Sequence, residues 1–120
     1  MYQLKEITLK NQGYEKKRLV IHFDKTEYII LAEFLMSDAQ LLKNELSAAK
    51  KALDTNKTKE VILTGNRCAI KLEKEKTMIT DLFEGIDESS YPALTISTDQ
   101  FYDYLTIWNQ ELQKFNSKNK

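Results

Sequence analysis

Apolar and polar residues alternate along several short stretches of the chain, and this period of two predicts β-strands. The alternation is clearest in residues 18–24 and 67–73, where apolar side chains recur at every second position. Turn-forming residues separate the stretches, among them Asn11-Gln12-Gly13 and the hairpin signal Gly65-Asn66. The predicted strands cover residues 2–10, 18–24, 27–35, 60–64, 67–73 and 77–83, with a short strand at 93–96.

Residues 27–35 are apolar on both faces and rich in β-branched and aromatic side chains. A helix is one alternative for them, but we predict a strand because a helix start signal follows immediately. That signal is Ser37-Asp38-Ala39-Gln40, in which Ser37 can cap the helix and Gln40 can reach back to the capping amide. The predicted helix runs to about Asp54 and buries one stripe of side chains: Leu42, Leu46, Ala49 and Leu53.

A second start signal of the same form, Ser97-Thr98-Asp99-Gln100, predicts another helix near the end of the chain. Residues 116–120 are polar, and we expect this tail to fray. Apolar residues at helical spacing mark the buried stripe of this helix: Phe101, Leu105, Trp108, Leu112 and Phe115.

Each half of the chain therefore reads as three strands followed by a helix, an order written βββα-βββα. Short connections favour antiparallel pairing of consecutive strands. We expect a single α+β domain over residues 1–115, with one antiparallel sheet of about six strands and two helices packed on it.

Composition narrows the class of protein. A chain of 120 residues with 42% hydrophobic and 30% charged side chains fits one folded domain rather than a disordered segment. No apolar run approaches the roughly 20 residues of a membrane-spanning helix, and the N-terminal segment lacks the pattern of a signal peptide. Cys68 is the only cysteine, so an intrachain disulfide is excluded. These features predict a cytoplasmic protein without a membrane partner.

No arrangement of side chains predicts an enzyme. His22 is the only histidine, and it lies in a predicted strand without a nucleophile signature or metal-ligand spacing around it. Asp99 and Asp103 are four residues apart on a predicted helix, but nothing marks a cleft that would make them an acid–base pair. We therefore predict no catalytic residue, no metal site and no cofactor.

Charge is divided unevenly along the chain, although the total net charge is zero. Residues 77–113 contain seven acidic side chains and no basic one, whereas residues 1–76 carry 15 basic and 11 acidic side chains. An acidic surface with exposed tyrosines suits a basic partner; the alternative is an ordinary solvated face. The predicted partner-binding residues are Asp81, Glu84, Asp87, Glu88, Tyr91, Asp99 and Asp103.

Basic clusters give a weaker argument for nucleic-acid binding. Lys16-Lys17-Arg18 and Lys50-Lys51 fall on different predicted elements, and the isoelectric point of the whole sequence is about 6.6. A nucleic-acid interface usually gathers its cations on one face. We therefore predict no direct nucleic-acid partner.

Several segments resemble the uncharacterised YacL-like family of small bacterial proteins. They are Tyr2 to Thr8 (YQLKEIT), the apolar stretch before the first helix, the paired strands around Gly65, and residues 87–101 (DESSYPALTISTDQF). The order of elements is also similar to that of some immunity proteins from contact-dependent growth inhibition systems. The resemblance covers most of the chain as a pattern and transfers no catalytic residue.

The resemblance to immunity proteins implies a cytoplasmic protein that is not an enzyme and that binds and blocks one toxin domain, in many cases a nuclease. Nuclease domains are basic because they grip phosphates, so an inhibitor with an acidic surface would occupy their binding groove. The zero net charge departs from this expectation, since a strongly acidic chain would fit better. The alternative is a YacL-like housekeeping protein of unknown role, homodimeric through an uncovered sheet edge.

Overall fold

A computed structural model describes residues 1–84, 86 and 89–119, and these residues form two antiparallel sheets with helices between them. The α+β class is therefore confirmed. In chain order the described elements are β1 (Tyr2–Asn11), β2 (Tyr14–Phe23), a 3-10 turn (Thr26–Tyr28), α1 (Ile29–Ser37), α2 (Lys43–Asp54), β3 (Glu60–Thr64), β4 (Cys68–Glu73), β5 (Lys76–Asp81), β6 (Leu94–Ser97) and α3 (Thr98–Lys118).

Strands β1 and β2 form a long two-stranded hairpin, paired from Tyr2 with Phe23 to Asn11 with Tyr14. Its turn residues Gln12 and Gly13 both have positive φ, 49° and 83°, as a tight hairpin turn requires. Residues 5–18 are exposed on both faces, so only the base of the hairpin joins the core. The predicted inward face of β2 is confirmed, since its buried residues are Leu19, Ile21 and Phe23.

The second sheet contains four antiparallel strands in the order β3-β4-β5-β6. One face packs against the helices and includes Ile70, Leu72 and Ile79. The other face is open, and Ile62 on it is 63% exposed. The hairpin predicted around Gly65 is confirmed, because Thr64 pairs with Ala69 on either side of the turn.

Helix α1 lies between the two sheets and contacts both β2 and β5. A helix covered on two sides is apolar all round, which explains why its sequence shows no polar face. The prediction of a strand over residues 27–35 is therefore wrong. The β-branched residues that favoured a strand express only a weak preference, and burial overrides it. The fully buried side chains of α1 are Ile30, Leu31, Phe34 and Leu35.

The predicted start of the first helix is also wrong. Ser37 is the last residue of α1, where its hydroxyl donates to the Glu33 carbonyl instead of capping a new helix. Helix α2 begins only at Lys43, but its predicted buried stripe is confirmed: Leu42 before it, and Leu46, Ala49 and Leu53 within it.

Helix α3 begins as predicted, with the Ser97 hydroxyl accepting from the Gln100 amide at 3.1 Å. Phe101, Leu105 and Trp108 of the predicted stripe are buried, and Leu112 and Phe115 are half-buried. Residues 116–118 belong to the last turn of α3, and the fraying of the tail 116–120 stays a prediction.

A single sheet of about six strands with two helices is wrong, because the hairpin and the four-stranded sheet do not pair with each other. The hairpin is held to the helices by aromatic edge-to-face contacts instead. The ring centroids of Phe23 and Tyr104 are 5.2 Å apart, and those of Phe23 and Tyr28 are 5.5 Å apart. Tyr2 completes this cluster at 6.3 Å from both Phe23 and Tyr104.

Asp38 connects the helical layer to the turn between β3 and β4. Its buried carboxylate accepts hydrogen bonds from the backbone amides of Asn66, Arg67 and Cys68 at 2.9, 3.0 and 2.7 Å. A Cβ on Gly65 would lie 2.5 Å from Asp38 Cγ, and Gly65 does not have positive φ. Close approach of the carboxylate therefore requires glycine here.

We expect Asp38→Asn to lower the free energy of unfolding by about 1–3 kcal/mol, because an amide nitrogen would face buried N–H donors that then lose their acceptor. Urea unfolding followed by far-UV circular dichroism measures this. Asp24→Asn, at an exposed position, is the matched control and should change stability by less than about 0.5 kcal/mol. Equal unfolding midpoints for the two variants would contradict the role given to Asp38.

Candidate functional site

The chain that leaves β5 meets the β3–β4 turn around the buried carboxylate of Asp81. This carboxylate accepts hydrogen bonds from the backbone amides of Phe83 and Tyr91, both at 2.9 Å. It also accepts from Arg67 Nη2 at 2.8 Å. Because its partners come from residues 67, 83 and 91, one side chain holds both ends of the connection between β5 and β6 against the β3–β4 turn.

Two aromatic rings flank the guanidinium of Arg67. Its Cζ lies 4.9 Å from the centre of the Phe83 ring and 5.6 Å from that of Tyr91, within range of cation–π attraction. Arg67 Nε is buried and has no hydrogen-bond partner among the described residues. We call Arg67, Asp81, Phe83 and Tyr91 the Arg67 cluster. Its charged groups are held by contacts within the chain, so the cluster is rigid.

The ion pair keeps its charges at neutral pH. Burial alone would raise the pKa of Asp81, but the amides of Phe83 and Tyr91 and the Arg67 guanidinium outweigh it and lower the pKa below its usual value. The hydrogen bond to Asp81 raises the pKa of Arg67, against the opposing effect of burial. Asp81 is 1% exposed, so it positions its neighbours and presents no surface to a partner.

Of the predicted residues, Asp81 and Tyr91 belong to this cluster, and Glu84 directly follows Phe83 in the sequence. Glu84 is exposed and forms no ion pair with any described residue, whereas Tyr91 is half-buried with its ring against Arg67. We call Glu84 and Tyr91 the loop group. The predicted residues Asp87 and Glu88 lie outside the described residues.

Asp99 and Asp103 are exposed on the first two turns of α3, and neither forms an ion pair within the described structure. We call them the helix group. Ser97, just before them, pairs with Lys76 at the start of β5, while Asp81 ends the same strand. At about 3.3 Å per residue, this places the two ends of β5 about 17 Å apart. The predicted residues therefore fall into two groups rather than one continuous site.

Sequence reasoning missed Arg67 and Phe83. The alternation of residues 67–73 places Arg67 on the polar face of one predicted strand, and Phe83 is the last residue of the next. The signal that identifies them is the register of β4 with β5: Cys68 pairs with Asp81, and the Leu82 amide donates to the Arg67 carbonyl at 2.9 Å. That register depends on pairing between strands, which local patterns do not specify.

Two other side chains of reactive type are Cys68, which pairs with Asp81 in the sheet, and His22 in β2. Burial raises the pKa of the Cys68 thiol to about 12, so it is not a thiolate nucleophile at neutral pH. His22 is exposed in β2 opposite Gln3. Across residues 1–84, 86 and 89–119 no three metal-ligating side chains cluster, and none of the helices there is long and apolar enough to span a membrane.

Comparisons with known proteins identified no relative of this chain. No family model, no curated protein and no solved structure matches the chain. The resemblance to immunity and YacL-like proteins therefore stays a hypothesis from the sequence, and the site is judged on its own geometry.

We expect Asp81→Asn to lower the free energy of unfolding at pH 7 by about 2–4 kcal/mol, because Arg67 loses its buried partner. The pKa of Asp81 is lowered in the folded protein, so its contribution is fully present above about pH 4, the ordinary range of Asp. The contribution is lost as the pH falls through the lowered pKa.

Urea unfolding from pH 7 to pH 2 tests this. The stability difference between wild type and Asp81→Asn should shrink as the pH falls below about 4. Asp103→Asn, at an exposed position without an ion pair among the described residues, should match wild type throughout. A difference that stays constant over the whole range would contradict a charged Asp81.

Proposed function

We propose that the protein is an immunity-type inhibitor that binds a basic toxin domain, with a nuclease as the expected class, through its acidic surface. The observation that carries the proposal is the base-free run of residues 77–113. Glu84, Asp99 and Asp103 of this run are exposed and have no ion-pair partner in the described structure.

The negative charge of these residues remains available to a partner. Within the run, Asp81 is paired with Arg67, and Glu111 lies 3.6 Å from Lys114. The other described acids of the run form no ion pair with a lysine or arginine in the described part of the chain. Unpaired surface charge of one sign steers a partner of opposite charge and raises the rate of association.

Contacts within the Arg67 cluster hold Tyr91 of the loop group in place, and this favours the loop group as the centre of the interface. Tyr91 is already held by the Asp81 hydrogen bond to its amide and by its contact with Arg67. An aromatic side chain fixed before binding loses little conformational entropy when a partner covers it. Tyrosine is also one of the residues that most often dominate binding energy. We therefore assign Tyr91 the role of anchor and Glu84 the role of neighbouring charge.

The helix group has a different role in this proposal. Asp99 and Asp103 lie near the end of β5 opposite to the one that Tyr91 contacts, so we assign them to the rim of the interface. Charges at the rim of an interface change mainly the association rate and its salt dependence, whereas a desolvated central charge changes the dissociation rate. The two groups are therefore separable by kinetics.

The first test is growth of cells that express the C-terminal region of the protein encoded immediately upstream, with and without this chain. Growth arrest that the chain relieves supports the proposal. A harmless neighbour, or a toxic one that the chain does not relieve, contradicts it.

With the toxin domain in hand, Tyr91→Ala should weaken binding about 30-fold, as expected for an anchor worth about 2 kcal/mol. Glu84→Lys should speed dissociation, and the double variant Asp99→Lys with Asp103→Lys should slow association mainly at low salt. Glu45→Lys, an exposed reversal on α2, is the matched control. The control should bind like wild type. The acidic surface would be excluded if the rate constants were unchanged in the Tyr91, Glu84 and Asp99/Asp103 variants and also in the double variant Asp87→Lys with Glu88→Lys.

The edge of β3 favours a second candidate, a homodimeric housekeeping protein. No described strand pairs with the outer edge of β3. The Gly65 amide donates to the Cys68 carbonyl, and hydrogen-bonded and non-hydrogen-bonded pairs alternate along an antiparallel ladder. The Leu63–Ile70 pair is therefore hydrogen-bonded, and the Ile62–Lys71 pair is not. The N–H and C=O groups of Ile62 consequently point away from β4, toward the free edge. Antiparallel pairing of two copies about Ile62 would place Glu60 against Thr64, with no like charges opposed.

Light scattering after size exclusion tests the dimer. Ile62→Pro removes an edge N–H without removing a hydrogen bond to β4, so it should convert a dimer to a monomer. Ile62→Thr keeps the N–H and should leave most of the dimer intact. A wild-type protein that is monomeric at every concentration would reject this candidate.

A further inference from the structure

A concave site separate from the Arg67 cluster lies between β2, the end of α1 and the C-terminal half of α3. Its volume is about 230 Å³, below the roughly 300–1,000 Å³ of sites for drug-sized ligands. Its floor is apolar and includes Leu35 and Met36 from α1 and Leu112 and Phe115 from α3. A small apolar or aromatic group therefore fits against this floor.

Cations form one side of the cavity. Lys16, Lys17 and Arg18 line it, and no carboxylate does. Lys17 shares the inward face of β2 with Leu19, because side chains alternate along a strand. None of these three cations forms an ion pair in the described part of the chain. The nearby carboxylate of Glu6 is paired with Lys118 Nζ at 2.7 Å, and it also attracts Lys17 without forming an ion pair with it.

Trp108 lines the same cavity and has an unmet hydrogen bond. The residue is 2% exposed, and its Nε1 is buried without a partner in the described structure. A buried donor without an acceptor costs about 1–3 kcal/mol. Leu112 and Phe115, which also line the cavity, are only half-buried.

We propose that this cavity binds a small amphipathic carboxylate. The carboxylate pairs with Lys17, which shares the inward face of β2 with Leu19, and accepts from Trp108 Nε1. The alkyl or aromatic part of the ligand covers Met36 and Phe115. A neutral ligand would leave the cations unpaired, and a cationic ligand would be repelled. A single water would satisfy Trp108 Nε1 but would leave the apolar floor uncovered. This site is independent of the acidic surface proposed above.

Trp108 is the only tryptophan in the sequence, so intrinsic fluorescence reports on the cavity directly. We would titrate the full chain with octanoate, and in parallel with octylamine and 1-octanol, all below their aggregation concentrations. Octanoate should give a saturable change that weakens as salt is added. Octylamine should give no saturable change, and 1-octanol should bind at least tenfold more weakly than octanoate.

Variants separate the contributions of charge and of the indole. Lys17→Gln with Arg18→Gln should raise the dissociation constant of octanoate at least tenfold, whereas Lys51→Gln, an exposed cation on α2, should not change it. Trp108→Phe, followed by calorimetry, should bind octanoate several-fold more weakly. Unfolding curves of each variant show that the fold is retained.

Three results would overturn the proposal. The first is no saturable response to octanoate. The second is equal binding of octanoate and 1-octanol, which would reduce the site to an apolar crevice. The third is a dissociation constant that Lys17→Gln with Arg18→Gln leaves unchanged. Unaltered affinity in Trp108→Phe would refute the role given to the indole.

Discussion

The buried carboxylate of Asp38 joins the helical layer to the four-stranded sheet, and the placement of the candidate site depends on it. Three consecutive amides of the β3–β4 turn donate to this one side chain, and Gly65 leaves the space that it occupies. One of those amides belongs to Arg67, whose side chain then reaches Asp81. A carboxylate between α1 and α2 thus sets the position of the guanidinium on which Phe83 and Tyr91 pack.

Local patterns predicted the elements that carry a local signal. Strand β2 alternates cleanly, and α3 begins at a capping serine and continues with a regular apolar stripe. Helix α1 was missed because burial between two sheets removes the polar face that identifies a helix. The division into two sheets was missed because it depends on which distant strands pair. The Arg67–Asp81 pair was missed for the same reason, although Asp81 alone was predicted from its charge.

The zero net charge of the chain hides an uneven distribution of charged side chains. Cations line the cavity at the end of α1, and acidic side chains are concentrated in residues 77–113. Ser37, its last residue, lines the cavity with the three cations of β2, and the next residue, Asp38, holds the turn that carries Arg67. The acids of residues 77–113 begin on the strand paired with that turn. Net charge is a sum over the surface, whereas a partner responds to the local field. A neutral chain can therefore offer both an acidic interface and an anion site.

The aromatic contact between Phe23 and Tyr104 has a consequence for biosynthesis. The hairpin β1–β2 is synthesised before the helices that it contacts, and Tyr104 is added 81 residues after Phe23. At roughly 5–20 residues per second, the base of the hairpin waits about 4–16 s for the helix that covers it. During that interval its strand edges are open to other nascent chains. We expect the lysines and arginine along its outer half to limit such pairing, since charged edges resist it.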